Sequence, residues 1–182
     1  MTETDRSDST SDSRIVPKLL DYLATIAPET AAFAQLLIDD GGAVRSAWGP
    51  EQMAVWDLVI RRGNWLVRFH CERGIADQVA VARATNPLPR FDDYGPIGLA
   101  IFAWARAARK PFRLSIPVDF DHNLVDYGRA ALDWLDEGHE ETLQRVSRVY
   151  RESLNGNYRL DADAHPALQL ATIAAMEAAV AG

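Results

Sequence analysis

A single cysteine, Cys71, is the only thiol in 182 residues. That excludes a disulfide framework and a cysteine-based zinc site. Long apolar runs are missing as well. The longest uncharged one, residues 97–105, falls far short of the roughly 20 residues a membrane span needs, so no membrane partner is expected. No basic segment followed by an apolar one opens the chain, so the start does not read as a signal peptide. The lone cysteine then fits a reducing cytoplasm. There is no G-x-G-x-x-G, no Walker A loop and no G-x-S-x-G, so no cofactor is implied.

What remains is an ordinary globular composition, 48% apolar and 25% charged. A chain of this size buries roughly 70% of its unfolded surface and can hold a core without staples. Residues 2–13 contain no apolar side chain. They read as a disordered acidic tail, residues 1–13, ahead of a single globular domain over 14–182. Net charge is −7, and its distribution is uneven: +2 over residues 43–84, +3 over 85–113 and −7 over 114–182. A basic middle and an acidic last third suit either solubility or a basic partner.

Periodicity divides the chain into three parts. Val16, Leu19, Leu20 and Leu23 share one helical face, and Pro28-Glu29 opens a second helix that carries Phe33, Leu36 and Leu37. Asp39-Asp40-Gly41-Gly42 stops it. The period then falls to two. Trp56, Leu58 and Ile60 alternate with Asp57, Val59 and Arg61, and Trp65, Val67, Phe69 and Cys71 alternate with Leu66, Arg68, His70 and Glu72. Turns at Gly63-Asn64 and Gly74 separate these runs. The pattern predicts an antiparallel meander of three to four strands over 43–84, with one buried face. Residues 43–48 form a short first strand in this reading, ending before Gly49-Pro50.

A proline-rich loop follows over 85–95, then a helix from Pro96 to about Arg109. Three further helices are predicted over 122–137, 139–154 and 165–181. Asp121 is the expected N-cap of the first. Leu168, Ala171, Ala175 and Ala179 are the expected buried face of the last. The fold class is α+β: a meander flanked by N-terminal helices and a C-terminal run of helices packed on one sheet face. The helix over 97–109 is the best-placed cover.

Candidate chemistry is sparse. His70-Cys71-Glu72 matches half of a zinc-deaminase signature, but the cysteine pair it requires is missing. Asp119, Asp121 and His122 stand close enough in sequence for acid–base work or cation binding, and equally for a turn and a helix cap. Asp92, Asp93 and Tyr94 occupy the proline-rich loop. Asp136, Glu137, Glu140 and Glu141 form an acidic cluster across Gly138. Arg61, Arg62, Arg68, Arg73 and Arg83 accompany Trp56, Trp65 and Phe69 along the strands, a mixture that can bind single-stranded nucleic acid. These aromatics alternate onto the face expected to be buried, and the chain is acidic, so nucleic acid is not expected as a partner.

Residues 54–82 carry a strand over Trp56–Ile60, a turn at Gly63-Asn64, the strand Trp65–Phe69, a turn at Arg73-Gly74 and a strand over Ile75–Val81. This stretch resembles the immunity proteins of bacterial polymorphic toxin systems. In that pattern a short acidic and aromatic helix follows the third strand, where this chain has Phe91-Asp92-Asp93-Tyr94 and a longer helix. The resemblance implies a non-catalytic binding protein that covers the active surface of a cognate toxin, with a basic toxin domain as partner. The expected contact residues are Asp92, Asp93, Tyr94, Asp119, Asp121, Asp136, Glu137, Glu140 and Glu141. The alternative expectation is a small enzyme or ligand-binding domain using Asp119, Asp121 and His122, its pocket between the sheet and the helix over 97–109.

Overall fold

The computed structural model describes residues 14–51, 55–76, 79–85, 87–112, 123–153 and 166–182. Two helices come first, α1 (Ile15–Ile26) and α2 (Pro28–Asp39). Strands β1 (Ala43–Glu51), β2 (Val55–Arg62), β3 (Trp65–Glu72), β4 (Ile75–Ala76), β5 (Ala80–Arg83) and β6 (Gly95–Pro96) follow. Helices α3 (Ile97–Ala107), α4 (Leu124–Asp136), α5 (Glu140–Glu152) and α6 (Pro166–Ala181) close the chain. The sheet is antiparallel in the order β1-β2-β3-β5-β6, with β4 paired to β3. This is the expected α+β architecture.

The turns form where glycine permits them. Gly63 takes a φ of +57° at the first of two hairpin residues, since Arg62 pairs with Trp65. Arg73 and Gly74 both take positive φ, as a two-residue turn between paired Glu72 and Ile75 favours. Gly41, at φ +84°, ends α2 at the expected breaker.

Trp56, Leu58, Ile60, Trp65, Val67, Phe69, Cys71 and Val81 form one buried sheet face. Leu19 and Leu23 of α1, and Phe33 and Leu37 of α2, join it in one cluster. Ile97, Ala100 and Ile101 of α3 and Leu124, Ala131, Leu132 and Leu135 of α4 belong to the same cluster. Helix α3 also reaches a second cluster, in which Leu99, Phe102 and Ala103 meet Val146 of α5 and Met176 of α6. The cover is therefore shared: α1 and α2 contact β1 and β2 directly, while α3 is the buried centre. No described helix is long and apolar enough to cross a membrane.

Four expectations need correction. The first strand does not stop before Gly49-Pro50. It continues to Glu51 across a cis Gly49–Pro50 bond and two irregularities in its register with β2. Bulges let a strand absorb residues that a regular ladder rejects. A sixth strand, β6, forms inside the proline-rich segment, where Val81 pairs with Gly95. Only two residues long, it is too short to leave a periodic signal.

The second sheet face is also buried in part. Asp57, Val59, Leu66 and Ala82 are each at most 5% exposed, yet none belongs to either cluster. Finally, α6 is rotated from the expected face: Gln169, Thr172 and Met176 are buried and Leu168 and Ala171 are exposed, while Ala179 packs against the second cluster. A helix built mostly of alanine and leucine has apolar groups on every side, so its composition does not select a face. Helix α4 begins at Leu124 with Asn123 in the capping position, and Asp121 lies outside the described residues.

One contact fixes how α4 meets α2. A Cβ at Gly128 would lie 2.5 Å from Cε2 of Phe33, whose ring is fully buried. Alanine normally gains about 1 kcal/mol over glycine inside a helix. Here the enclosed ring cannot move aside, and overpacking costs about 1–3 kcal/mol. Gly128→Ala is expected to lower stability by up to about 2 kcal/mol in denaturant titration; an increase would show that the Phe33 ring has room to yield.

Candidate functional site

Strand β5 and the short β6 form one end of the sheet. Gly95 and Pro96 of β6 pair with Val81 and Ala80, and the Ile97 N–H bonds the Val79 carbonyl as the chain enters α3. The segment just ahead of β6 turns through a 3₁₀ helix, Phe91–Asp93. Asp93 Oδ2 accepts the Arg90 N–H at 2.8 Å and closes that turn. Helix α5 stands opposite. Its Leu143, Gln144, Ser147, Tyr150 and Arg151 face the sheet end across a cleft of about 600 Å³. That size lies within the range typical of binding pockets, roughly 300–1,000 Å³.

Apolar groups from Trp65, Val81, Leu99 and Leu143 line the cleft together with Asp92, Asp93, Tyr94 and Glu140. Arg83 crosses it. Its guanidinium bonds Glu140 and lies 5.9 Å from the Trp65 ring centroid. The indole N–H of Trp65 is buried and has no acceptor among the described residues, an arrangement uncommon in folded proteins. A second cavity adjoins the first and shares Arg83, Glu140 and Gln144 with it; Asn64, Asp136 and Glu141 line its far side.

The acidic residues singled out in the sequence thus have three locations. Asp92, Asp93, Tyr94 and Glu140 come together in the main cleft, and Asp136 and Glu141 lie in its neighbour. Glu137 follows the last turn of α4, where its N–H bonds Asp133, and lines neither cavity. Asp119, Asp121 and His122 lie outside the described residues. The ligand-binding alternative expected a pocket between the sheet and the helix over 97–109; this cleft instead lies between the sheet end and α5, with Leu99 the one α3 residue in its described lining.

Some acids are engaged within the fold. Asp136 Oδ1 accepts the Asn64 N–H at 3.2 Å, and its carboxylate occupies the space beside Gly63, where a Cβ would lie 2.0 Å from Oδ2. Asp136 therefore docks the end of α4 on the β2–β3 turn. Arg62 bonds Asp133, and Arg129 bonds Asp40. The first pair joins β2 to α4, and the second joins α4 to the end of α2.

The second sheet face holds a polar group that no contiguous sequence motif marks. Asp57 is 5% exposed, and its Oδ1 accepts the Arg68 Nε–H at 2.6 Å and lies 3.3 Å from His70 Nδ1. Asp57 pairs directly with His70 across the β2–β3 ladder. The Arg68 guanidinium in turn lies 5.8 Å from the Tyr94 ring centroid. Tyr94 thus joins this cluster to the cleft. Burial raises the Tyr94 phenol above its ordinary value; Arg68 opposes the rise, and Asp57 and Asp93 add to it. The signal was present in the alternation, which places Asp57, Arg68 and His70 on one face. A search for contiguous motifs does not join residues from different strands.

Trp56, Trp65 and Phe69 face the helical core, so they form no stacking platform on an open sheet face. Among the described residues no group of three or more His, Cys, Asp or Glu side chains could hold a metal ion. Comparison with family models, curated proteins and solved structures finds no match to this chain.

Two outcomes follow from these contacts. Asp57→Asn deprives Arg68 of a largely buried counter-charge and is expected to cost about 2–4 kcal/mol in urea unfolding; a change within experimental error would show that Asp57 is dispensable. Tyr94 ionises later in the folded state than in the unfolded one. Its contribution to stability is therefore complete below the ordinary tyrosine value and is lost as pH rises through the folded value. Stability measured on the alkaline side should fall less steeply for Tyr94→Phe than for the parent, and identical slopes would contradict this.

Proposed function

We propose that this chain is a non-catalytic binding protein of the immunity type, which covers the active surface of a basic toxin domain with the cleft between β5–β6 and α5. The observation that carries this reading is convergence. Asp92 and Asp93 stand before β6, Glu140 and Glu141 open α5, and the fold gathers all four around two adjoining cavities. Their described linings contain five carboxylates against two guanidiniums, Arg83 and Arg151. Arg83 is already committed to Glu140. The surplus is negative, and complementary charge at an interface rim accelerates association and selects partners. Trp65, Tyr94 and Leu143 supply the apolar centre that a hot spot requires.

The test is capture from the native host, comparing the parent with a Asp92→Lys, Asp93→Lys, Glu141→Lys variant. Glu140 is left intact because it holds Arg83. The parent should retain a basic protein in stoichiometric amount, released by salt, that arrests growth when expressed alone and not when co-expressed with this chain. The variant should associate about tenfold more slowly or worse. A folded variant that binds the same protein at the parental rate would refute the cleft as the contact. A captured protein without toxicity would refute the immunity reading.

A further inference from the structure

The cleft contains an open strand edge. The Ala84 N–H donates to the Asn64 carbonyl at 2.7 Å, on the β3 side of β5. Main-chain groups of a strand point alternately to its two sides, so those of Arg83 point away from β3. The Val79 carbonyl, four residues earlier and in the same phase, accepts the Ile97 N–H at 2.9 Å on that outer side. Val81, between them, is paired there with Gly95. Among the described residues nothing pairs at the next place in this register, opposite Arg83, because the chain ahead of Gly95 has left the sheet for its 3₁₀ turn. Among the described residues neither Arg83 nor Thr85 has a main-chain partner on this side.

This edge borders the same cavity as the apolar groups of Trp65 and Leu143 and the carboxylates of Asp92 and Asp93. Asp92 bonds no other described residue, and the Asp93 carboxylate bonds only a main-chain N–H. Trp65, whose buried indole N–H has no acceptor among the described residues, lies in the wall of this cavity. Main-chain donors and acceptors, an apolar floor and an acidic rim together define one ligand chemistry. An unpaired edge recognises an extended backbone, alternate side chains of that backbone enter the floor, and the remaining cationic side chains meet the rim.

We propose that the cleft binds an extended, basic segment of its partner as an added strand on the outer edge of β5 at Arg83 and Thr85, with apolar side chains seated against Trp65 and Leu143. The inference rests on the binding-protein reading and specifies how the cleft is filled. The Ala80–Val81 part of that edge is taken by β6, so the segment adds where β6 leaves off.

The experiment selects a displayed library of random short peptides on the full-length chain. Enriched peptides should alternate apolar residues with Lys or Arg. An enriched peptide titrated into the isotope-labelled chain should shift the amide signals of Arg83 and Thr85 and slow hydrogen exchange at Arg83. Methylating alternate amides of that peptide should weaken binding about tenfold or more, the usual worth of two lost main-chain bonds. Arg83→Pro removes the outward N–H and should weaken binding relative to Arg83→Ala; peptide N-methylation reads the same bonds without altering the fold. Enrichment of acidic peptides, no enrichment, or equal binding of the methylated peptide would overturn the proposal. If the methylated peptide binds equally while the lysine variant above still loses its partner, strand addition fails and the binding-protein reading stands.

Discussion

Helix α3 has almost no solvent face. Ile97, Gly98, Leu99, Ala100, Ile101, Phe102, Ala103 and Ala105 are all buried. A helix that is apolar on every side must be covered on every side. The sheet cluster takes one side of it through Ile97, Ala100 and Ile101, and α5 and α6 take another through Leu99, Phe102 and Ala103. The rest of the architecture follows from this need. The C-terminal helices stay with the sheet because α3 links the two clusters. The cleft lies where the cover is incomplete, with Leu99 in its wall between the sheet end and α5.

Charge plays a second, weaker part in the assembly. Five arginines lie in the strands, and the last third of the chain carries 12 of the 26 carboxylates against five basic residues. In the fold Arg62 meets Asp133, Arg83 meets Glu140 and Arg106 meets Glu177. Each is at least partly exposed and is worth at most about 1 kcal/mol. They orient elements already held together by burial. They also reduce the acidic surface offered to a partner. Asp133 and Asp136 serve the contact between α4 and the hairpin, whereas Asp92, Asp93 and Glu141 remain at the cavities.

The second sheet face departs from the simple scheme of one dry and one wet side. Asp57, Arg68 and His70 form a hydrogen-bonded group there, and Val59, Leu66 and Ala82 are buried beside it. A buried carboxylate is tolerated because a guanidinium lies within bonding distance. Tyr94 lies against that guanidinium while lining the cleft, so the electrostatics of the sheet face extend to the proposed binding site.

The sequence by itself determined whatever depends on neighbours in the chain. Period-two alternation located β2 and β3, helical spacing located α1 through α5, and Gly41, Gly63 and Gly74 marked the turns they make. Cys71 was read as buried from its phase with Trp65, Val67 and Phe69, and it is. Local signals failed where they were nearly symmetric or very short, as on the alanine-rich α6 and the two-residue β6. Tertiary structure alone decided which acids share a cavity, which are spent on arginines, and where a strand edge is left open. Those outcomes are set by packing between residues such as Arg83 and Glu140, 57 positions apart, and periodicity carries information only about residues within a few turns of one another.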